Sequence, residues 1–329
     1  MRAAVLNDDH ELVVADVADP SPGPGELVLA VTACGICGSD LKLRSSMPAG
    51  LVMGHEFCGV VVAAGSDTDP AWRMGRHVTA LPIIGCGNCL ACVAGEPAHC
   101  EEADFVGVGG SSGAFAEYVR VHERETIGLP ESIDPALGAL VEPLAVGVHA
   151  VERAHIRSGD KVLVVGAGPV GLSVIAWAAR SGAGELVVSD PSAARREAAE
   201  QFGATRTVDP EAEPLEPRYD VVIECVGNPG MTDVCVRASK HHGHVVIAGV
   251  CTKPDPYVPV MALIKELAVD FVVYYTRREF FAVVDTLGQG GIDAAPFVSR
   301  RVELEGANDA FAELIAAKDQ RKILVLPAG

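Results

Sequence analysis

Long apolar runs are missing from this chain. Hydrophobic residues make up 49% of the 329 positions, yet no uninterrupted stretch reaches the roughly 20 residues that a bilayer-crossing helix needs. A membrane-spanning helix is therefore not expected. Positive charge is also short. The chain has 26 Lys and Arg against 44 Asp and Glu, a formal net charge of −18. That balance disfavours nucleic acid and anionic lipid as partners, because both are held by basic surfaces. Repeats and low-complexity segments are lacking as well. Met1–Pro20 has no charged start leading into an apolar run, and Asp8, Asp9 and Glu11 interrupt it, so no secretory signal is expected there.

Cysteine is plentiful, with ten residues, seven of them before residue 101. Their spacing resembles metal sites more than a disulfide framework, and a reducing cytoplasm fits it. Cys86, Cys89, Cys92 and Cys100 read C-x2-C-x2-C-x7-C. Four thiolates this close can wrap one zinc ion tetrahedrally at about 2.3 Å per bond. A closed four-sulfur shell leaves no position for a substrate, so this cluster is expected to bind metal and do no chemistry.

The length allows two domains of roughly 100–200 residues each. The first ~140 residues are rich in Gly, Pro and β-branched residues. Strands are expected at Leu27–Thr32 and Cys58–Ala64. Near Val141 the pattern changes to strands alternating with helices, the signature of a parallel, doubly wound α/β sheet. Expected strands are Lys161–Val165, Glu185–Ser189, Asp220–Cys225 and His244–Ala248, with helices at Pro169–Ser181 and Ala193–Phe202. A further helical pattern runs up to Gly243. The last ~50 residues add helices at Glu279–Leu287 and Ala307–Ala317 and a strand at Ile323–Leu326. This tail is expected to return to the first domain.

Gly166, Gly168 and Gly171 form GxGxxG between a strand and a helix. The first glycine permits a tight turn, the second lets the backbone approach a pyrophosphate, and the third allows close strand–helix packing. Asp190 ends the next strand, 19 residues after Gly171. There a carboxylate accepts hydrogen bonds from the adenosine ribose and repels a 2′-phosphate, which favours NAD over NADP. Arg195 and Arg196 keep NADP open. Arg195 would otherwise lie along the adenosine ribose or carry a solvated charge.

A second group of metal-ligand residues is scattered: Cys37, His55 with Glu56, and Glu142. A thiolate, an imidazole and a carboxylate make a zinc site with one position open. Spacing alone does not bring them together.

Cys37-Gly38-Ser39-Asp40, Gly54-His55-Glu56, the four-cysteine run, Glu142-Pro143-Leu144 and the Gly166–Gly171 loop follow one another along the chain. In that order and rough spacing they resemble the zinc-containing medium-chain dehydrogenases, the superfamily of alcohol, polyol and threonine dehydrogenases. The resemblance covers nearly the whole chain. It is nearest in form to the bacterial polyol/butanediol-type branch, where Glu stands at a position that is Cys in other alcohol dehydrogenases.

The resemblance implies a Rossmann NAD-binding domain over residues 144–274. It implies a β-rich GroES-like catalytic domain over 1–143 and 275–329, and an active site in the cleft between the two. NAD and two zinc ions per chain are the implied cofactors, one zinc structural on the four cysteines and one catalytic. Cys37 and His55 would be ligands of the catalytic zinc, with Glu142 as the third or holding a water in its place. Glu56 would lie just behind the metal, and Asp40 would orient His55 through its other ring nitrogen. Ser39 would take the proton of the alcohol. Gly166, Gly168, Pro169, Val170, Gly171, Asp190 and Arg195 would hold the cofactor. The implied reaction is hydride transfer between NAD(H) and a secondary alcohol, polyol or amino alcohol, giving the ketone. The implied assembly is a homodimer or homotetramer.

The chain departs from that pattern in places. Lys42 stands where many relatives have a His that ends the proton relay, and a free Lys, with a pKa near ~10.4, is a poor acceptor at neutral pH. Lys42 would bind an anionic substrate group or be solvated. The segment Asp209–Asp220 is too short for the helix relatives place there, and residues 42–54 are also short. Cys34 is expected as a buried thiol, Cys58, Cys225, Cys235 and Cys251 as core residues, and His241, His242 and His244 as capping or solvated. Two rivals remain: an NADPH-dependent carbonyl reductase of the same superfamily, and a non-catalytic NAD-binding protein with only the structural zinc.

Overall fold

The structure, a computed structural model, describes residues 1–72, 74–316 and 320–327. Contacts divide the chain into Met1–Glu142 with Tyr275–Gly329, and Pro143–Tyr274. The first unit opens with β1 (Arg2–Leu6) and β2 (Leu12–Asp16), an antiparallel hairpin. Then come β3 (Glu26–Gly35), α1 (Gly38–Leu43), β4 (Glu56–Ala64), β5 (His77–Ala80), β6 (Ile83–Ile84), α2 (Leu90–Val93), β7 (Asp104–Phe105), β8 (Tyr118–His122) and β9 (Thr126–Gly128). β3 and β4 contain the two strands expected from sequence and extend beyond them. The register places Gly35 opposite Glu56, which matters for the site below.

The second unit alternates regularly. α3 (Val141–Ala154) starts at the boundary. It is followed by β10 (Lys161–Val165), α4 (Pro169–Arg180), β11 (Glu185–Ser189), α5 (Ala193–Gln201), β12 (Arg206–Val208), β13 (Tyr219–Glu224), α6 (Met231–Ala238), β14 (Ser239–Ile247), α7 (Pro259–Ile264) and β15 (Ala268–Phe271). The sheet order is β12-β11-β10-β13-β14-β15, with every pairing parallel. This is the doubly wound Rossmann order, and it reverses direction between β10 and β13. The strands carry continuous apolar runs because helices cover both faces, and Leu163, Val187, Val222 and Val245 are fully buried. No helix or strand occupies residues 209–218, the segment whose composition lacked a helix.

One boundary differs from expectation. The helical pattern expected to reach Gly243 stops at Ala238, and Gly243 lies inside β14. Ser239 turns extended, at φ −69° and ψ 142°. Lys265 Nζ donates to the carbonyls of Val236, Arg237 and Ser239 at 2.9, 2.7 and 2.7 Å. A buried ammonium thus satisfies the last-turn carbonyls, a contact from 26 residues downstream that local pattern does not contain.

The C-terminal segment adds α8 (Arg277–Gly288), β16 (Val298–Glu303), α9 (Ala307–Ala316) and β17 (Lys322–Leu326). Position 317, the last of the expected helix, lies outside the described residues. β17 pairs antiparallel with β3, so the tail completes the first unit's sheet, in the order β16-β17-β3-β4-β5-β9 with β8 also on β3. Phe311 of α9 meets Phe115 edge to face, at 5.9 Å between ring centres. No helix among the described residues is long and apolar enough to cross a membrane.

Candidate metal centres and nucleotide site

The four cysteines converge as their spacing requires. The sulfurs of Cys86, Cys89, Cys92 and Cys100 all lie within 4.8 Å of one another, and none is in a disulfide. A tetrahedron with 2.3 Å bonds has edges of about 3.8 Å, so the group fits a zinc ion closely. Backbone N–H groups already point at sulfur: Cys86 N lies 3.4 Å from Cys100 Sγ, and Cys92 N lies 3.5 Å from Cys89 Sγ. The lobe is tied down from outside. Arg124 Nη2 donates to Gly85 O at 2.9 Å, and Arg277 N donates to Gly95 O at 2.7 Å. Arg277 also grips the buried Glu125 through two bonds, at 2.9 and 2.7 Å. Among the described residues, no His, Asp or Glu ligand joins the four sulfurs in this group, which accords with a structural role.

The second group forms around α1 and the start of β4. Cys37 precedes α1, and its backbone N–H donates to Asp40 Oδ2 at 2.9 Å. Asp40 Oδ1 lies 3.2 Å from His55 Nδ1. One fully buried carboxylate therefore holds the Cys37 backbone and stands close against the His55 ring. His55 Nε2 faces the other way, 3.5 Å from Ser39 Oγ. Burial disfavours charge on His55, but Asp40 outweighs it and raises the imidazole pKa well above its usual value. A metal cation in place of that proton answers the same field.

Ligand atoms of Cys37, His55 and Glu56 lie within 4.8 Å of one another, and Glu142 stands outside that grouping. The two carboxylates have different partners. Lys322 Nζ donates to both oxygens of Glu56, at 2.6 and 2.7 Å, and to Ile36 O at 3.1 Å. Burial works against the Lys322 charge, yet Glu56 holds its pKa above the ordinary value. Gly35 makes room for this pair, since a Cβ there would lie 2.1 Å from Glu56 Oε2. Tyr275 OH donates to one oxygen of Glu142, Oε1, at 2.9 Å. Burial pushes the Glu142 carboxyl up to about 7, while neighbouring His55 lowers it.

The nucleotide loop lies between β10 and α4. Gly166 has φ +95°, open to glycine at little cost. A Cβ on Gly171 would fall 2.0 Å from Gly166 O, so strand and helix approach too closely for any side chain. Gly168 differs: apart from its immediate chain neighbours, no atom of the described residues lies within 4 Å of where its Cβ would be. Packing within the fold does not explain glycine there, and the approach of a pyrophosphate does. Pro169 and Val170 open α4. Asp190 is buried, its Oδ2 accepting from Ala167 N and its Oδ1 from Ser192 N, both at 2.9 Å. Arg195 Nη1 lies 3.8 Å from Asp190 Oδ2. Arg196 is engaged elsewhere, donating to the carbonyls of Asp190 and Pro191 at 2.7 and 2.9 Å and lying 3.2 Å from Asp209.

The sequence reading passed over Lys322 and Tyr275. A Lys beside Arg321 at the start of an apolar strand reads as solvated, and Tyr275 follows Tyr274 at the end of an apolar run with nothing local to single it out. Only the tertiary fold gives them meaning. Cys34, Cys58 and Cys235 are buried, whereas Cys225 just after β13 and Cys251, its thiol 3.3 Å from Lys253 O in the loop after β14, are only partly buried and so are not full core residues. His242 and His244 pair with Glu266 and Asp270 in and beside β14. Lys42 lies exposed in the last turn of α1.

Comparison with known proteins agrees with this arrangement. Residues 23–131 match the alcohol dehydrogenase GroES-like domain, and residues 169–289 match the zinc-binding dehydrogenase family. The chain is 31% identical to (R,R)-butanediol dehydrogenase of Bacillus subtilis, covering 99% of this chain and 100% of that one. It is 29% identical to sorbitol dehydrogenase of the same organism, over 99% and 97%. Among solved structures, a zinc-binding dehydrogenase from Sinorhizobium meliloti bound to NADP superposes with a TM-score of 0.92 at 34% identity, covering 99% of each chain.

Proposed function

Because this chain belongs to the zinc-binding dehydrogenases with an alcohol dehydrogenase GroES-like domain, we propose that it interconverts a secondary alcohol or polyol and its ketone, with NAD(H) as hydride carrier. The grouping of Cys37, His55 and Glu56 with the Ser39 hydroxyl 3.5 Å from His55 Nε2 carries this reading. Residues 1–142 with 275–329 would form the catalytic domain, and residues 143–274 the nucleotide domain.

Cys37, His55 and Glu142 would hold the catalytic zinc. Lys322 occupies both oxygens of Glu56, whereas Tyr275 takes one oxygen of Glu142, so Glu142 is the better third ligand and Glu56 the supporting carboxylate. When bound, zinc supplies a Lewis acid that draws the pKa of an alcohol down, as it draws that of water to about 7. Ser39 Oγ would accept the hydroxyl proton while releasing its own toward the cofactor ribose, so the serine hydroxyl relays the proton and does not keep it. Asp40 Oδ1, 3.2 Å from His55 Nδ1, would favour a proton on that nitrogen and so leave Nε2 for the metal. The four-cysteine group would hold the structural zinc.

Gly166, Gly168, Pro169, Val170 and Gly171 would cradle the pyrophosphate, and Asp190 with Arg195 would meet the adenosine ribose. NAD is favoured because Asp190 repels a 2′-phosphate and Arg196 is already paired. NADP remains the second reading, supported by the NADP bound in the Sinorhizobium relative and by Arg195 Nε, buried without a partner among the described residues. A homodimer is favoured by β15, an edge strand whose Phe271 is 70% exposed, next to exposed Leu263, Ile264 and Val273. The unpaired cysteines fit a reducing cytoplasm.

Reduction of NAD⁺ across secondary alcohols, sugar alcohols, cyclitols and hydroxy-amino acids tests the reading. Turnover with at least one class is expected. No turnover with either nucleotide, in protein loaded with zinc at both sites, would contradict it.

A further inference from the structure

Glu224 ends β13 at the point where the sheet order reverses, and it is 1% exposed. The register sets it beside Val165, the residue before the glycine loop. One of its carboxylate oxygens, Oε1, accepts from both Val226 N at 2.7 Å and Gly227 N at 2.8 Å. Its backbone carbonyl accepts from Ala248 N and Gly249 N at 2.9 and 3.0 Å. The other carboxylate oxygen faces Gly249, where a Cβ would lie only 2.3 Å away. Val226 then reaches the loop: its Cγ2 is 2.7 Å from where a Cβ on Gly166 would be. A chain of contacts thus runs from a buried carboxylate, through two amides and one isopropyl group, to the first glycine of the nucleotide motif.

Asp190 does the same from the other side. It follows β11 and accepts from Ala167 N, the amide after Gly166. The loop is braced by carboxylates at the ends of both strands that flank β10. Ligands of doubly wound sheets bind at the carboxyl ends of the strands where the order reverses. With the adenosine ribose on Asp190, the β13 side faces the nicotinamide half of a dinucleotide.

We propose that Glu224 is a positioning residue for that half: it fixes the Val226–Gly227 turn against Gly166 and keeps the crevice formed before the nucleotide arrives. The inference rests on the reading of Gly166–Gly171 as a dinucleotide site. Burying one carboxylate is costly, and a turn needing only rigidity has cheaper means.

The test is equilibrium binding of NADH and of AMP, which lacks the nicotinamide half, to zinc-loaded wild type, Glu224→Ala and Glu224→Gln. In Glu224→Ala the NADH Kd should rise roughly tenfold, the equivalent of one buried hydrogen bond, with AMP affinity unchanged. Glu224→Gln keeps an acceptor oxygen and should restore most of the NADH affinity. Equal weakening of both ligands, or unchanged NADH binding, would overturn the proposal. If Glu224→Ala does not fold, Gly249→Ala presses on the same carboxylate and on the Gly227 amide it holds, and should weaken NADH selectively; wild-type affinity there would overturn it equally. A wild type that binds neither ligand would contradict the dinucleotide reading itself, and with it this proposal.

Discussion

Lys322 Nζ sits 2.6 and 2.7 Å from the two carboxylate oxygens of Glu56, with both side chains almost wholly buried. The pair joins β17, from the C-terminal return, to β4, which begins one residue after His55. Breaking one partner of a buried pair leaves an uncompensated charge, at a cost of about 3–5 kcal/mol. Lys322→Met should therefore lower the denaturant midpoint markedly. Lys322→Met with Glu56→Gln should recover part of the loss, since neither buried charge remains. A single variant as stable as wild type would contradict the pairing.

Glu142 offers a pH test. Its folded-state carboxyl is pushed up to about 7 by burial, so below that pH it holds a proton that a metal ion must displace. Zinc affinity at the Cys37–His55 site should rise as pH increases through 7, and go on rising while the proton on His55 is also displaced. In Glu142→Gln that rise should shrink and overall affinity should fall. Competition titrations with a chromophoric chelator at several pH values measure both. An unchanged pH profile would assign the third position to Glu56.

Asp190 braces Ala167 and, in the proposed reading, would also face the ribose. Asp190→Ser keeps a short polar group and removes the charge. NAD affinity should fall, and the preference for NAD over NADP should drop by roughly tenfold or more, as expected when a single charge repulsion is removed. Steady-state kinetics with both nucleotides checks this, and an unchanged ratio would pass discrimination to Arg195.

The apolar edge near β15 predicts self-association. Phe271→Glu puts a charge on the exposed edge, a device that blocks strand pairing. Sedimentation should show the dimer shifted to monomer with zinc content kept. Wild type that sediments as a monomer would remove this surface from the account.

Much of this was legible in the chain because the relevant signals are local. The strand–GxGxxG–helix unit and the four-cysteine run are short-range patterns, and Gly166, Gly171 and the four sulfurs stand where those patterns put them. The polar contacts of the second centre are long-range. Lys322 meets Glu56 across 266 positions of sequence and Tyr275 meets Glu142 across 133, and no spacing rule foresees either. The helix end at Ala238 was misread for the same reason, because Lys265 caps it from a later loop. Glu224 lay inside an expected strand, Asp220–Cys225, and read as one more strand residue. Its two amide bonds exist only once the chain turns at Val226.

In the proposed function the scattered group of Cys37, His55 and Glu142, not the four-cysteine cluster, carries the chemistry. Zinc content and NAD⁺ reduction measured together on wild type and Cys37→Ala test it most directly. The account predicts two zinc ions in the wild type, one for each ligand group. In the variant it predicts one retained zinc, a folded protein and turnover lost. Wild-type turnover in a Cys37→Ala protein that has lost that zinc would contradict it.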